Sequence, residues 1–122
     1  MSGFSGPAGL RALRIWEGVV VRLVEGERST LCIVELDPDS SVPEHSHENE
    51  QLGVLLSGSL TFRIGDETRE LGPGDTWAIT ANVPHEVHTG PDGAVAAEVF
   101  VPPRDDWAGL DAAESSPPRW PS

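Results

Sequence analysis

The chain has 122 residues, 38% of them hydrophobic and 23% charged, with 20 acidic side chains against 8 basic ones and a formal net charge of -12. That length holds one domain around one core, and the acidic balance argues against nucleic acid and anionic membrane surfaces as partners. No apolar run approaches the ~18 residues of a membrane span, and Met1-Ser2-Gly3-Phe4-Ser5-Gly6-Pro7 lacks the basic-then-apolar pattern of a secretory leader, so the cytoplasm is the expected compartment.

Thirteen glycines and eleven prolines punctuate short apolar runs, the signature of strands joined by turns and hence of an all-β fold. Residues 1–14 read as a Gly/Ser-rich lead-in. Val19 to Val24 and Thr30 to Leu36 then flank the turn Glu25-Gly26-Glu27-Arg28 and are expected to form a hairpin. Cys32, the lone cysteine, lies in the apolar run Leu31-Cys32-Ile33-Val34 and reads as a small buried hydrophobe. Further strands are expected over Gln51–Leu56, Ser59–Ile64, Glu67–Leu71, Asp75–Ile79, His85–Thr89 and Ala94–Val101, with turn chemistry at each separator. So many short strands in one domain favour a barrel or sandwich. Asp105 to Ala113 is the one candidate for a short helix, and residues 108–122 form a Ser/Pro-rich tail expected to be extended.

His45 and His47 lie two apart in an extended segment after Pro43, so alternation puts both on one face. Gln51 opens the following strand, and His85 comes after Pro84 about forty residues later. Three imidazoles suit a divalent transition metal, although a bare H-x-H pair is also common as surface histidines. His88, three residues past His85, points the other way along a strand and reads as a solvent or interface residue. Trp16 and Trp77 read as core or interface aromatics, or as a wall for a sugar ring.

The arrangement His45-x-His47-x3-Gln51-x6-Gly58, followed by Gly74-Asp75-x4-Thr80-x-Asn82-x2-His85, resembles the two motifs of the cupin superfamily over roughly residues 15–107. That resemblance implies an antiparallel jelly-roll β-barrel with one divalent metal per chain (Zn, Ni, Mn or Fe), held by His45, His47, His85 and the residue at position 51. It also points to a homodimer, as does the apolar Val19–Val24 strand if it forms an open sheet edge. The chain departs from the family pattern at Gln51, where glutamate is usual, at Asn82 in place of glycine, and at Thr89 in place of asparagine. Asn82 keeps the turn, because Asn tolerates the left-handed region best after Gly. Gln51 leaves the ion a higher net charge and makes it a stronger Lewis acid. Glu50, adjacent, faces the other side of the strand, while Gly53 leaves room beside the metal for a ligand.

A second cluster closes the barrel: Glu98 and Phe100 share a face of the last strand, and Pro102-Pro103-Arg104 turns back toward it. With Glu50-Gln51 and Gly53, this cluster resembles cupins of pectin and alginate breakdown that open unsaturated uronates, in which Asp is usual where this chain has Glu98. The implied activity is a metal-dependent lyase or isomerase acting on a small anionic carbonyl or sugar-acid substrate, with Glu98 moving a proton and Arg104 pairing a carboxylate. Three alternatives stay open at this level: an Fe- or Mn-dependent oxygenase, a non-catalytic small-molecule binding or sensor module, and a purely structural ion pair of Glu98 with Arg104 or Arg22.

Overall fold

A computed structural model describes residues 3–121. Eight antiparallel strands make one rolled sheet: β1 (Arg11–Trp16), β2 (Val19–Glu25), β3 (Thr30–Leu36), β4 (Ser41–His45), β5 (Glu50–Ile64), β6 (Glu67–Leu71), β7 (Thr76–Ile79) and β8 (His85–Val101). The order is β1-β2-β3-β8-β5-β6, with β4 added on β8 and β7 on β5. This is the jelly-roll barrel expected of the chain.

Two long strands close the roll. The first half of β8 pairs with β4 and the second half with β3, while β5 pairs with β8 along its length from Glu50↔Val101 to Ile64↔His85. Ser57-Gly58 and Gly90-Pro91-Asp92-Gly93, expected to end strands, instead bend them, and the register shifts at Leu55/Ser57 and Gly58/Leu60 mark the corner. Gly58 sits at φ +82° with the Gly93 carbonyl where a Cβ would go, so the corner has space for neither a side chain nor its backbone preference. Inside the roll, Val19, Val21, Cys32, Leu55, Phe62 and Ile79 are buried in one core, each large aliphatic adding roughly 1.5–3 kcal/mol. Burial, reinforced by the nearby Glu98 charge, pushes the Cys32 thiol well above its ordinary pKa, which agrees with its reading as a hydrophobe.

Three expectations change. The lead-in is shorter, because β1 begins at Arg11: Leu13, between Ala12 and Arg14, is buried and paired with Val21. β1 thereby covers the Val19–Val24 edge, which removes that edge as a reason for dimerisation. The Asp105–Ala113 helix is only a single 3-10 turn, Asp105–Trp107, pinned by the buried Trp107. Beyond it the tail folds back as a strap. The Ala113 N–H donates to the Ala12 carbonyl, and the Arg119 N–H donates to Glu35, whose buried ion pair with Arg22 spans 2.9 Å. Among the described residues no helix is long and apolar enough to cross a membrane.

Gly58→Ala is expected to lower stability by about 1–3 kcal/mol, because it forces a side chain into the left-handed region and against the Gly93 carbonyl. The midpoint of urea unfolding measures it; an unchanged midpoint refutes the corner's role.

Candidate metal and substrate site

Three imidazoles meet at one end of the roll. His45 ends β4, His85 begins β8 directly opposite it, and His47 sits in the link after β4 rather than on the strand, so the alternation argument holds for His45 alone. The ligand atoms of the three lie within 4.8 Å of one another. In each ring the Nδ1 faces a backbone carbonyl: Pro43 for His45 at 2.8 Å, Asn49 for His47 at 3.0 Å and Val83 for His85 at 2.9 Å. A carbonyl only accepts, so Nδ1 carries the proton in all three rings, and every Nε2 keeps its lone pair for the interior. Asn82, at φ +66°, turns the chain ahead of His85 as expected.

The chemistry of these nitrogens fits a metal. His85 Nε2 is buried with no hydrogen-bond partner, a costly state for a polar atom unless an ion completes it. Burial lowers the pKa of His45 and His47 and pushes that of His85 down to about 4, so the rings are neutral and ready to ligate at pH 7.

Gln51 joins the group from the start of β5. Its amide nitrogen donates a short hydrogen bond to Glu98 Oε2, which fixes the flip of the amide, because a carboxylate accepts. The amide oxygen therefore faces His47 Nε2 at 3.0 Å. With Nδ1 protonated these are two acceptors side by side, which is unfavourable without a cation. Glu50, by contrast, is exposed on the other face.

Glu98 is buried at the floor of the site, and its ionisation is shifted by that burial, which raises its pKa against the opposing bonds from Gln51 and Trp77 and the charge of Arg104. It pairs with neither Arg104 nor Arg22. Both of its donors, Gln51 Nε2 and Trp77 Nε1 at 2.8 Å, go to Oε2, leaving Oε1 to the cavity that Glu98 lines. Arg104 lies with its guanidinium 4.7 Å from the Phe100 ring centre and 4.2 Å from that of Trp107, in an ion pair of 2.8 Å with Asp106. These groups, with Trp16, His45 and His85, surround a cavity of about 60 Å³.

Gly53 differs from expectation. The room left by its missing side chain is filled by the Trp77 indole, which a Cβ at position 53 would overlap at Cε2 and Nε1. Three residues that carry the site went unread in the sequence, Trp107, Asp106 and Asn49, while Trp77, read as a core or interface aromatic, is buried and in addition donates to Glu98. The buried Asn49 amide donates to the Pro102 carbonyl at 2.6 Å, tying the His47 link to the turn that carries Arg104. His88, as expected, is on the outside, where it pairs with Ser41 at 2.8 Å.

A family model for the cupin domain matches residues 32–101. The chain belongs to the cupin family. Over 75 residues, 61% of its length, this cupin is 32% identical to the H2HPP isomerase of Bacillus subtilis, and the match takes in only 31% of that longer protein. Among solved structures it superposes on an RmlC-like cupin from Shewanella frigidimarina NCIMB 400 with a TM-score of 0.80 and 18% identity, covering 88% of this chain and 96% of that one. It superposes on KdgF from Halomonas sp. with a TM-score of 0.78 and 21% identity, covering 87% and 98%. At such identities the structural likeness speaks for the fold.

Two outcomes are expected. His45→Ala combined with His85→Ala should abolish stoichiometric binding of divalent metal, as read by elemental analysis of untagged protein; full metal content would remove the site. In the metal-free protein, His85 takes up its proton near pH 4 when folded but near its usual 6.5 when unfolded. Stability is therefore complete above pH 6.5 and declines as the pH falls toward 4. Thermal melts across that range should show the decline, and His85→Gln should flatten it.

Proposed function

We propose that this cupin is a metal-dependent enzyme of the lyase or isomerase type, acting on a small anionic carbonyl or sugar-acid compound such as an unsaturated uronate. The observation that carries the reading is the divided carboxyl group of Glu98, with one oxygen fixed by Gln51 and Trp77 and the other left to the cavity. A proton carrier needs that combination of a held orientation and an oxygen facing the cavity, and burial raises the pKa of this carboxyl in the direction that favours proton uptake.

His45, His47, His85 and Gln51 would hold the ion, which supplies a positive charge that draws electrons from a carbonyl or enol oxygen. Glu98 Oε1 takes a proton from one atom of the substrate and returns it to another, so an isomerisation leaves the enzyme unchanged. The Arg104 guanidinium, held against the rings of Phe100 and Trp107, receives the substrate carboxylate and shares itself with the exposed Asp106. A cavity of about 60 Å³ takes the reacting end of such a molecule and leaves the remainder at the mouth beside Trp16. The name of H2HPP isomerase accords with this class of chemistry without fixing the substrate. A homodimer is part of the same proposal, since the outer sheet face exposes Val24, Leu31, Leu52 and Val101.

The test is a screen of the metal-loaded protein against unsaturated uronates and small keto acids, with oxygen consumption followed in parallel. Glu98→Gln should lose ~10²-fold or more in turnover while keeping its metal, because the amide oxygen still accepts from Gln51 and Trp77. Arg104→Ala should chiefly raise KM, by the equivalent of roughly 2–5 kcal/mol for a desolvated charge pair. Oxygen uptake in step with turnover would replace the reading by an oxygenase, and tight binding without turnover would replace it by a binding module.

A further inference from the structure

Trp77 and Gly53 form a unit whose reach extends beyond holding Glu98 for the proposed reaction. β5 lies between β7 and β8, and Gly53 is paired with Trp77 on one side and with Glu98 on the other. The three stand in one transverse row on the inner face of the sheet. Neighbouring strands are about 4.8 Å apart, so Trp77 and Glu98 start roughly 10 Å from each other across the middle strand. Any side chain at position 53 would separate them. Because the middle position is bare, the indole lies over it and reaches Glu98 Oε2 with its N–H at 2.8 Å. Trp77 also packs against Phe62, with ring centres 5.1 Å apart, which holds the indole at its other edge.

The same Oε2 accepts from the Gln51 amide, whose own oxygen is turned toward His47 Nε2. A chain of hydrogen bonds thus runs from Trp77 through Glu98 to Gln51 and ends at the point where the metal ligands converge. We propose that Trp77 is a positioning residue: laid across the bare Gly53, it locks the Glu98 carboxylate and, through it, aims the Gln51 amide oxygen at the metal. Outer partners that orient a ligand in this way are typically worth 10- to 100-fold in metal affinity. The inference rests on the reading of Gln51 as a ligand but not on any proton transfer by Glu98.

The test is a cycle of metal affinities measured calorimetrically with Zn(II) or Ni(II). Trp77→Phe keeps a ring over Gly53 and deletes the N–H; Gly53→Ala disturbs the same contact from the other side. Each should weaken metal binding about tenfold in the wild-type background and by less than twofold in a Gln51→Ala background, because nothing then remains to be aimed. Equal weakening in both backgrounds means that Trp77 acts by general packing and overturns the proposal, as does no weakening in either. A second readout uses the intact ring: the Trp77 indole N–H proton should resonate downfield of the other tryptophans and move upfield in Glu98→Gln. An indole resonance that does not respond overturns the proposal even if the Trp77 variant fails to fold. Loss of turnover in Glu98→Gln, or its absence, bears on the proton-transfer reading alone and leaves these affinities untouched.

Discussion

The pairing of β5 with β8 around a glycine corner is the constraint on which the rest of the molecule depends. Both strands must stay paired while crossing from one side of the roll to the other, and Gly58, tucked against Gly93 where the register shifts, lets them do so. The consequence is chemical as well as architectural. One half of the pairing sets His85 opposite Ile64 and beside His45, while the other sets Gln51 opposite Phe100 and Gly53 opposite Glu98. Residues more than thirty positions apart in the chain are placed by backbone hydrogen bonds, which leaves their side chains with few choices of direction.

Within that frame the imidazoles are prepared for a cation by the backbone. Three carbonyls take the three Nδ1 protons, a task that would otherwise fall to side chains. The cost falls on the metal-free protein: three desolvated rings, and a buried Nε2 on His85 with no partner, which by itself costs about 1–3 kcal/mol. Strain of this kind persists where the surrounding core over-determines the geometry, and an ion binding at the convergence point relieves it. Depressed imidazole pKa values and a fitting ligand set are two expressions of the same burial.

The sequence carried most of the strands and turns and the three-histidine group, because alternation, Gly/Pro punctuation and the spacing of His45, His47 and His85 are local signals. It did not carry β1, where Arg11 and Arg14 obscure the alternation around Leu13, nor the continuity of β5 and β8, because a glycine that bends a strand reads like one that ends it. The reading of Gly53 failed for a related reason. A missing side chain signals space, but whether a ligand or a neighbour fills it depends on which residue lies across the strand, and that is a matter of register. Trp77 was legible as a buried aromatic and illegible as a hydrogen-bond donor to Glu98, twenty-one positions away.

Register also accounts for the departure at position 51. A glutamate there would put its carboxylate against that of Glu98, with the Trp77 N–H as the single donor between two anions in a buried site, and one of the pair would have to take up a proton. The amide avoids this by offering a donor to Glu98 and an acceptor to the metal position at once. A carboxylate that polarises an amide makes its oxygen a better ligand, so part of the negative charge that a direct glutamate ligand supplies arrives through the hydrogen bond instead. An ion held there would keep more of its own charge for a substrate, while Glu98 retains a second oxygen facing the cavity. Gln51 and Glu98 are in this sense one unit: a neutral residue facing the three imidazoles is tolerable because an acidic one stands behind it, and the acidic one keeps an oxygen without a donor because the amide meets only the other.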